Sequence, residues 1–116
     1  MDADVVISGA GPAGCAAAYD LAQAGRRVML LERSLDRPST VCGGGLTIKA
    51  LRTLRFDVQP IIERFCDTMA VSIKLKRPAE LSSRRPVVAM IRRRHFDAYC
   101  RDRVRAAGAM LADDCR

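Results

Sequence analysis

The sequence predicts an α/β fold built on a Rossmann-like βαβ unit, extended by an inserted antiparallel strand pair and a further helix and strand. Three observations predict it. A short apolar run, "DVVIS" at 4–8, leads directly into the glycines Gly9, Gly11 and Gly14. A stretch of small residues, "PAGCAAAYDLAQA", follows with helical character. A second apolar run, "RVMLLE" at 27–32, then ends in an acid.

Each element has its own reason. The first run is a short buried strand. Pro12 suits the first position of a helix, where its missing N–H is no loss, and Gly25 is the expected C-terminal stop. On that helix Cys15, Ala18, Leu21 and Ala22 would share one face. The second run is a buried strand parallel to the first, since a helical crossover joins parallel strands. Residues 33–45 read as a loop, "LTIKALRTL" as a short helix and "VQPIIERF" as a helical turn or two. "MAVSIKLK" at 69–76 and "RPVVAMIR" at 85–92 are expected strands, paired antiparallel across the polar "RPAELSSR". "RRHFDAYCRDRVRAAG" is an amphipathic helix ended by Gly108, and "AMLAD" at 109–113 is a third strand of the first sheet. No internal repeat or low-complexity segment interrupts this order.

Length and composition bound the answer. A chain of 116 residues, about half of them apolar, supports one globular domain at most. With no Trp, two Tyr and three Phe, its core must be built from aliphatic side chains. The net charge of +7 is carried by dispersed arginines, with runs at Arg84-Arg85 and Arg92-Arg93-Arg94. No aromatic RNA motif or finger spacing accompanies them, so they read as a solvated surface and nucleic acid is not an expected partner. The five cysteines are widely spaced and form no CxxC pair, which points away from a disulfide framework or a metal site and towards reduced thiols in the cytoplasm. The start lacks the basic and apolar regions of a signal peptide. No apolar run approaches the ~20 residues of a membrane-spanning helix.

The glycine pattern carries the chemistry. Gly9-x-Gly11-x-x-Gly14 sits after a strand and opens a helix, where a phosphate-binding turn requires it. Gly9 permits the tight turn, Gly11 lets the backbone approach a pyrophosphate, and Gly14 lets the helix pack against the strand. The helix N-terminus supplies free N–H groups and a positive partial charge. Glu32 ends the second strand about 20 residues on, where a carboxylate can accept hydrogen bonds from a ribose and disfavours a 2′-phosphate. This spacing leaves FAD and NAD both open.

The "GPAG" wording resembles the opening of FAD-dependent oxidoreductases of the glutathione-reductase-like and p-hydroxybenzoate-hydroxylase-like superfamily. A narrower resemblance rests on "ERSLDRPSTVCGGGL" and "MIRRRHFDAYCRDRVRAAGAML". These are similar to the geranylgeranyl reductase family, in which the second strand ends in "ER" or "EK", a "CGGG" loop follows, and an "RR…FDA" segment comes later. The middle, "FDVQPIIERFCDTMAVSIKL", is similar more loosely. Family members often carry "KPCGGG"; here the stretch reads "STVCGGG", without that lysine.

The resemblance implies FAD as cofactor, NADPH or reduced ferredoxin as electron donor, and reduction of isoprenoid double bonds in a prenylated small molecule or lipid. It implies that Gly9, Gly11, Ala13 and Gly14 hold the pyrophosphate, and that Glu32, followed by Arg33, serves the adenosine half. Cys42, Gly43 and Gly45 would line a flavin-facing loop, and Arg93 would reach the phosphate or ribityl region. Read without it, Cys42 is a small buried hydrophobe, Gly43 to Gly45 a linker and Arg93 a solvated charge. His95, the single histidine, reads as a surface residue. The resemblance also implies an incomplete domain: an N-terminal portion of a longer enzyme, with the remaining FAD-binding segment and the substrate domain elsewhere. Peripheral membrane contact is an expectation from prenyl chemistry, though no segment stands out as an anchor, and the oligomeric state is left open. Another FAD-dependent oxidoreductase or monooxygenase of the superfamily, or a nonenzymatic nucleotide-binding remnant, are the alternatives.

Overall fold

The computed structural model describes residues 2–35 and 41–115. Its first sheet is parallel. Strand β1 (Val5–Ser8) leads through the glycine turn into helix α1 (Pro12–Gln23), and β2 (Val28–Leu31) returns beside β1 with Val5 opposite Val28 and Ser8 opposite Leu31. The base of this pair is closed by Asp4, whose carboxylate accepts from both the backbone N–H and the guanidinium of Arg27.

Between β2 and the end of the chain lies an antiparallel insertion. It comprises β3 (Gly45–Thr47), helix α2 (Ile48–Thr53), a 3₁₀ turn at Gln59–Ile61, β4 (Ile62–Cys66), β5 (Thr68–Ile73), β6 (Lys76–Ser82) and β7 (Val88–Ile91). Helix α3 (Arg93–Ala106) and strand β8 (Met110–Ala112) follow. β8 joins the first sheet parallel to β2, so β2 is central and is apolar on both faces, as a strand covered on both sides should be.

The core forms where α1 and α3 meet β2. Val28 and Leu30 from the strand, Cys15 and Ala18 from α1, and Phe96, Cys100 and Val104 from α3 are all buried in one cluster. Leu21 and Ala22 are half-buried against it, which completes the expected face of α1. Tyr19, Phe56 and Tyr99 link α1, the segment after α2 and α3 through an edge-on ring contact and a tilted one. The Tyr99 hydroxyl donates to the Asp57 carbonyl at 2.7 Å, so the phenol is anchored at both ends.

The parallel unit, α3 and β8 lie where the sequence places them. The insertion differs in three respects. Residues 45–47 are a strand, not the end of a loop or the start of a helix; Thr47 caps α2 by accepting from the Ala50 N–H, so the helix begins only at Ile48. Residues 62–66 are a strand rather than a helical turn, because β-branched Ile62 and aromatic Phe65 pair with the neighbouring strand β7. Finally, 69–76 does not pair with 85–92. β5 ends at Ile73 and pairs with β6, the polar stretch expected to be a connection, while β7 sits between β3 and β4. The β5–β6 ribbon is exposed along its whole length. It makes the molecule long: the radius of gyration is 17.1 Å, against about 13 Å for a compact domain of this length.

Candidate functional site

The glycine turn is built by sterics. Gly9 has a φ of +101°, which lets the chain reverse at the end of β1, and its N–H donates to the Leu31 carbonyl. A Cβ on Gly14 would collide with the Gly9 carbonyl oxygen, so the close approach of α1 to β1 depends on that missing atom. Gly11 is different. It is the N-cap of α1, no side chain caps the helix there, and an added Cβ would meet nothing within 4 Å. The fold does not need a glycine at 11, whereas a phosphate lying against the helix N-terminus does. Ala13 is exposed on the same first turn.

Glu32 is placed by β2 at the mouth of this turn. Its Oε2 accepts from the Ala10 N–H at 2.8 Å, and its Oε1 from the N–H groups of Arg33 and Ser34 at 2.8 and 3.2 Å. Burial would raise its pKa, but the N–H groups of Ala10, Ser34 and Arg33 outweigh it and hold the carboxyl below its ordinary value. A carboxylate offers about four acceptor positions. Three are filled by backbone, which leaves one on Oε2 for a ligand hydroxyl. Glu32 therefore fixes the glycine turn as well as facing the cleft. Ser8, Gly9, Leu31, Glu32, Arg33 and Cys115 line that cleft, of about 480 Å³, at the C-terminal ends of the parallel strands. Ligands of open α/β sheets bind at these ends.

The second group of sequence-predicted residues lies where the loop before β3 meets the start of α3. Cys42 is exposed, not the buried hydrophobe its residue type suggests. Its sulfur accepts from the Gly44 N–H at 3.4 Å and is hydrogen-bonded by the Arg93 guanidinium, and these two partners, in that order, lower its pKa. Arg93 is also held by Asp97, one turn on, with Nε to Oδ1 at 2.7 Å and the carboxylate buried. Gly43 and Gly45 are exposed, whereas Gly44 is buried. Gly44 has a φ of +76°, and a Cβ there would strike the Ile91 carbonyl oxygen. Its own carbonyl accepts from the Ile91 N–H at 2.8 Å, which ties the loop to β7. His95 is exposed, as expected.

The ten predicted residues thus fall into two clusters. Gly9, Glu32 and Arg33 line the parallel-strand cleft and Gly11, Ala13 and Gly14 belong to the adjoining turn and the start of α1, while Cys42, Gly43, Gly45 and Arg93 gather at the β3–α3 junction. Asp97, Ala10 and Cys115 were not singled out in the sequence, and Gly44 was read there only as part of the Gly43 to Gly45 stretch. For Asp97 the signal was present: an acid four residues after Arg93 on a helix is a standard ion-pair spacing. The buried thiols of Cys15 and Cys100 take no part, since burial pushes them up to about 11 and about 12. No cluster among the described residues could hold a metal ion. No helix among them is long and apolar enough to cross a membrane.

The family model described as FAD dependent oxidoreductase matches residues 4–111, and the chain belongs to that family. It is 33% identical to an uncharacterized protein of Methanosarcina barkeri over 95% of this chain and 28% of that protein. It is 30% identical to the chloroplastic geranylgeranyl diphosphate reductase of Arabidopsis thaliana, over 92% of this chain and 23% of the relative. Among solved structures, a geranylgeranyl bacteriochlorophyll reductase-like protein of Thermoplasma acidophilum superposes with a TM-score of 0.79 at 27% identity. That match covers 97% of this chain and 30% of the other. The chain therefore spans 23% to 30% of the length of these relatives.

Proposed function

We propose, from membership in that family, that this chain is the FAD-binding portion of a reductase acting on double bonds of a geranylgeranyl or similar prenyl chain. Family membership makes the dinucleotide FAD, and the observation that carries its placement is the contrast inside one turn. Gly14 is required by packing, while Gly11 is required by nothing in the protein and opens onto the α1 N-terminus. The pyrophosphate would lie there, held by the N–H groups of Gly11, Ala13 and Gly14, with a ribose hydroxyl on the remaining acceptor position of Glu32. Arg33 borders the adenosine side of the same cleft. Gly43, Gly45 and Cys42, with Arg93 steadied by Asp97, would face the flavin end.

When bound and reduced by NADPH or a ferredoxin, FAD supplies hydride to one alkene carbon while a proton adds to the other. The protein's own task is to hold the cofactor, orient the alkene and keep water out. The prenyl substrate is supported by the relatives named as geranylgeranyl reductases, which share nearly all of this chain.

The test has two parts. FAD should bind the purified chain with quenching of its fluorescence. Gly11→Ala should weaken that binding by tenfold or more while leaving the thermal midpoint within about 1 °C, since a Cβ there meets nothing within 4 Å. Unaltered FAD binding in this variant would refute the pyrophosphate assignment. Separately, the product of the whole reading frame containing these residues should reduce geranylgeranyl diphosphate when supplied with dithionite. Oxygen consumption with an aromatic substrate, without alkene reduction, would make it a hydroxylase instead.

A further inference from the structure

The β5–β6 ribbon belongs to neither cluster of the candidate site, and by itself it is a weak piece of structure. It is a two-stranded sheet that pairs with no other strand among the described residues. A lone hairpin is marginal in water, and stability takes a third strand or a covering layer. Its two faces differ. Met69 opposes Leu81 and Val71 opposes Ala79 on one, while Thr68 opposes Ser82 and Ala70 opposes Glu80 on the other. The first is the kind of face that a sheet buries.

Its two edges differ as well. At the end away from the turn, the Ser83 N–H donates to the Asp67 carbonyl. Inward and outward pairs alternate along an antiparallel ladder. Residues 69, 71, 79 and 81 therefore turn their backbone groups inwards, and Thr68, Ala70, Glu80 and Ser82 turn theirs outwards. Pro78 comes next in the outward series on β6 and has no N–H to offer. The outer edge of β6 is interrupted there, whereas β5 contains no proline. An open amphipathic edge of this kind invites pairing with another strand.

Fold comparison says which strand. Residues 68–82 are more than a tenth of the chain, so a match over 97% or 98% of it takes in the ribbon. Such matches reach the Thermoplasma protein, an aromatic hydroxylase of angucycline biosynthesis, the chondrochloren halogenase and the p-nitrophenol 4-monooxygenase of Pseudomonas putida, with TM-scores from 0.72 to 0.79. A ribbon shared by folds named for such different reactions serves the architecture rather than one substrate or one surface. This chain matches only 24% to 32% of each of those chains. We propose that the ribbon is the start of a sheet completed by further residues of the same polypeptide. An extended segment pairs along the outer edge of β5, and aliphatic side chains from the same part cover Met69, Val71 and Leu81. This holds whatever the cleft binds, and its test is run without FAD.

The test compares the 116-residue chain with the product of the whole reading frame that contains it. Hydrogen exchange of β5 peptides should be at least about a hundredfold slower in the longer protein, while β2 peptides are protected in both. Val71→Asp should lower the thermal midpoint of the longer protein by more than about 5 °C and that of the 116-residue chain by less than about 1 °C. Ala70→Lys, on the polar face opposite Glu80, should change neither midpoint by more than about 1 °C. If Val71→Asp does not fold in the longer protein, Val71→Ala should still speed β5 exchange there about tenfold and leave it unchanged in the shorter one.

Four outcomes would overturn the proposal. The first is equal β5 exchange at both lengths. The second is an equal effect of the Val71 substitutions at both lengths. The third is β5 protection in the 116-residue chain that grows with its concentration, because a second copy then takes the edge. The fourth is protection in the longer protein that appears only with anionic lipid vesicles, because a bilayer then covers the face.

Discussion

The parallel-sheet body and the β5–β6 ribbon meet the same backbone demand with opposite residues. Between its elements the body places glycine at left-handed positions, Gly9 after β1, Gly25 after α1, Gly44 before β3 and Gly108 after α3, with Asp114 beyond β8 as an exception. In the ribbon such positions hold Lys74, Leu75 and Arg77. Burial differs in the same direction. β2 has Val28 and Leu30 fully buried, whereas every residue of β5 and β6 is exposed. The body is thus built so that its turns are required by packing, and the ribbon so that its turn presents side chains. A position required by packing and an exposed position can share a backbone conformation, and the residue type tells them apart.

The largest effects should come from breaking the body's glycines. Gly14→Val would drive side-chain atoms into the Gly9 carbonyl, between two backbones that have no room to separate, and should cost about 3 kcal/mol. Gly44→Ala combines a collision with the Ile91 carbonyl and a left-handed φ, and should cost about 2 kcal/mol or more. Urea unfolding followed by circular dichroism measures both. Midpoints within error of the parent would mean that these backbones can move apart, and the reading of the turns as sterically fixed would fail. Gly44→Ala should also loosen the Cys42 loop, so that an alkylating reagent reaches its sulfur with altered kinetics.

The body was legible in the sequence for the same reason that it is fragile. An apolar strand, glycines at fixed spacing and an acid closing the next strand are all local signals, and the structure places them together at one cleft. The ribbon was half legible. Met69, Val71 and Ile73 alternate with small or polar residues and announce β5, but β6, "KRPAELS", is polar and contains Pro78, so it reads as a connection. Proline is tolerated there because the ribbon has only edge strands. Nor could spacing show that β7 would lie between β3 and β4, since partner choice depends on the whole chain. Within the candidate site, three adjacent glycines look equivalent. Only the fold shows that the middle one, Gly44, is structural and that its neighbours are the exposed ones.

A smaller effect should sharpen the link between turn and strand end. Glu32 carries three backbone hydrogen bonds and its pKa is lowered on folding. A group depressed in this way contributes stability that is fully present above its unfolded value, near 4.5, and is lost as pH falls through the lower folded value. Glu32→Gln keeps the shape and one acceptor oxygen but loses the charge, and should cost about 1 kcal/mol at pH 7. The parent and variant should converge in stability as the pH drops below about 4. A difference that persists unchanged into acid would show that the carboxylate's charge is not what holds Ala10.

The smallest expected effect has the opposite sign and tests whether the two regions are separate at all. Lys74→Asn with Leu75→Gly gives the ribbon the turn chemistry its backbone asks for. It should stabilise the hairpin by about 1 kcal/mol, partly by removing left-handed strain from L-residues. The ribbon is a sheet of its own, hydrogen-bonded to neither of the other two. The gain should therefore appear as local protection: amides of β5 and β6 should exchange about fivefold more slowly, while the urea midpoint of the body stays where it was. If the body's midpoint rises with the ribbon, the two unfold as one unit, and the turn's strain is carried by the whole molecule. If only the ribbon responds, Leu75 can be changed without cost to the phosphate turn.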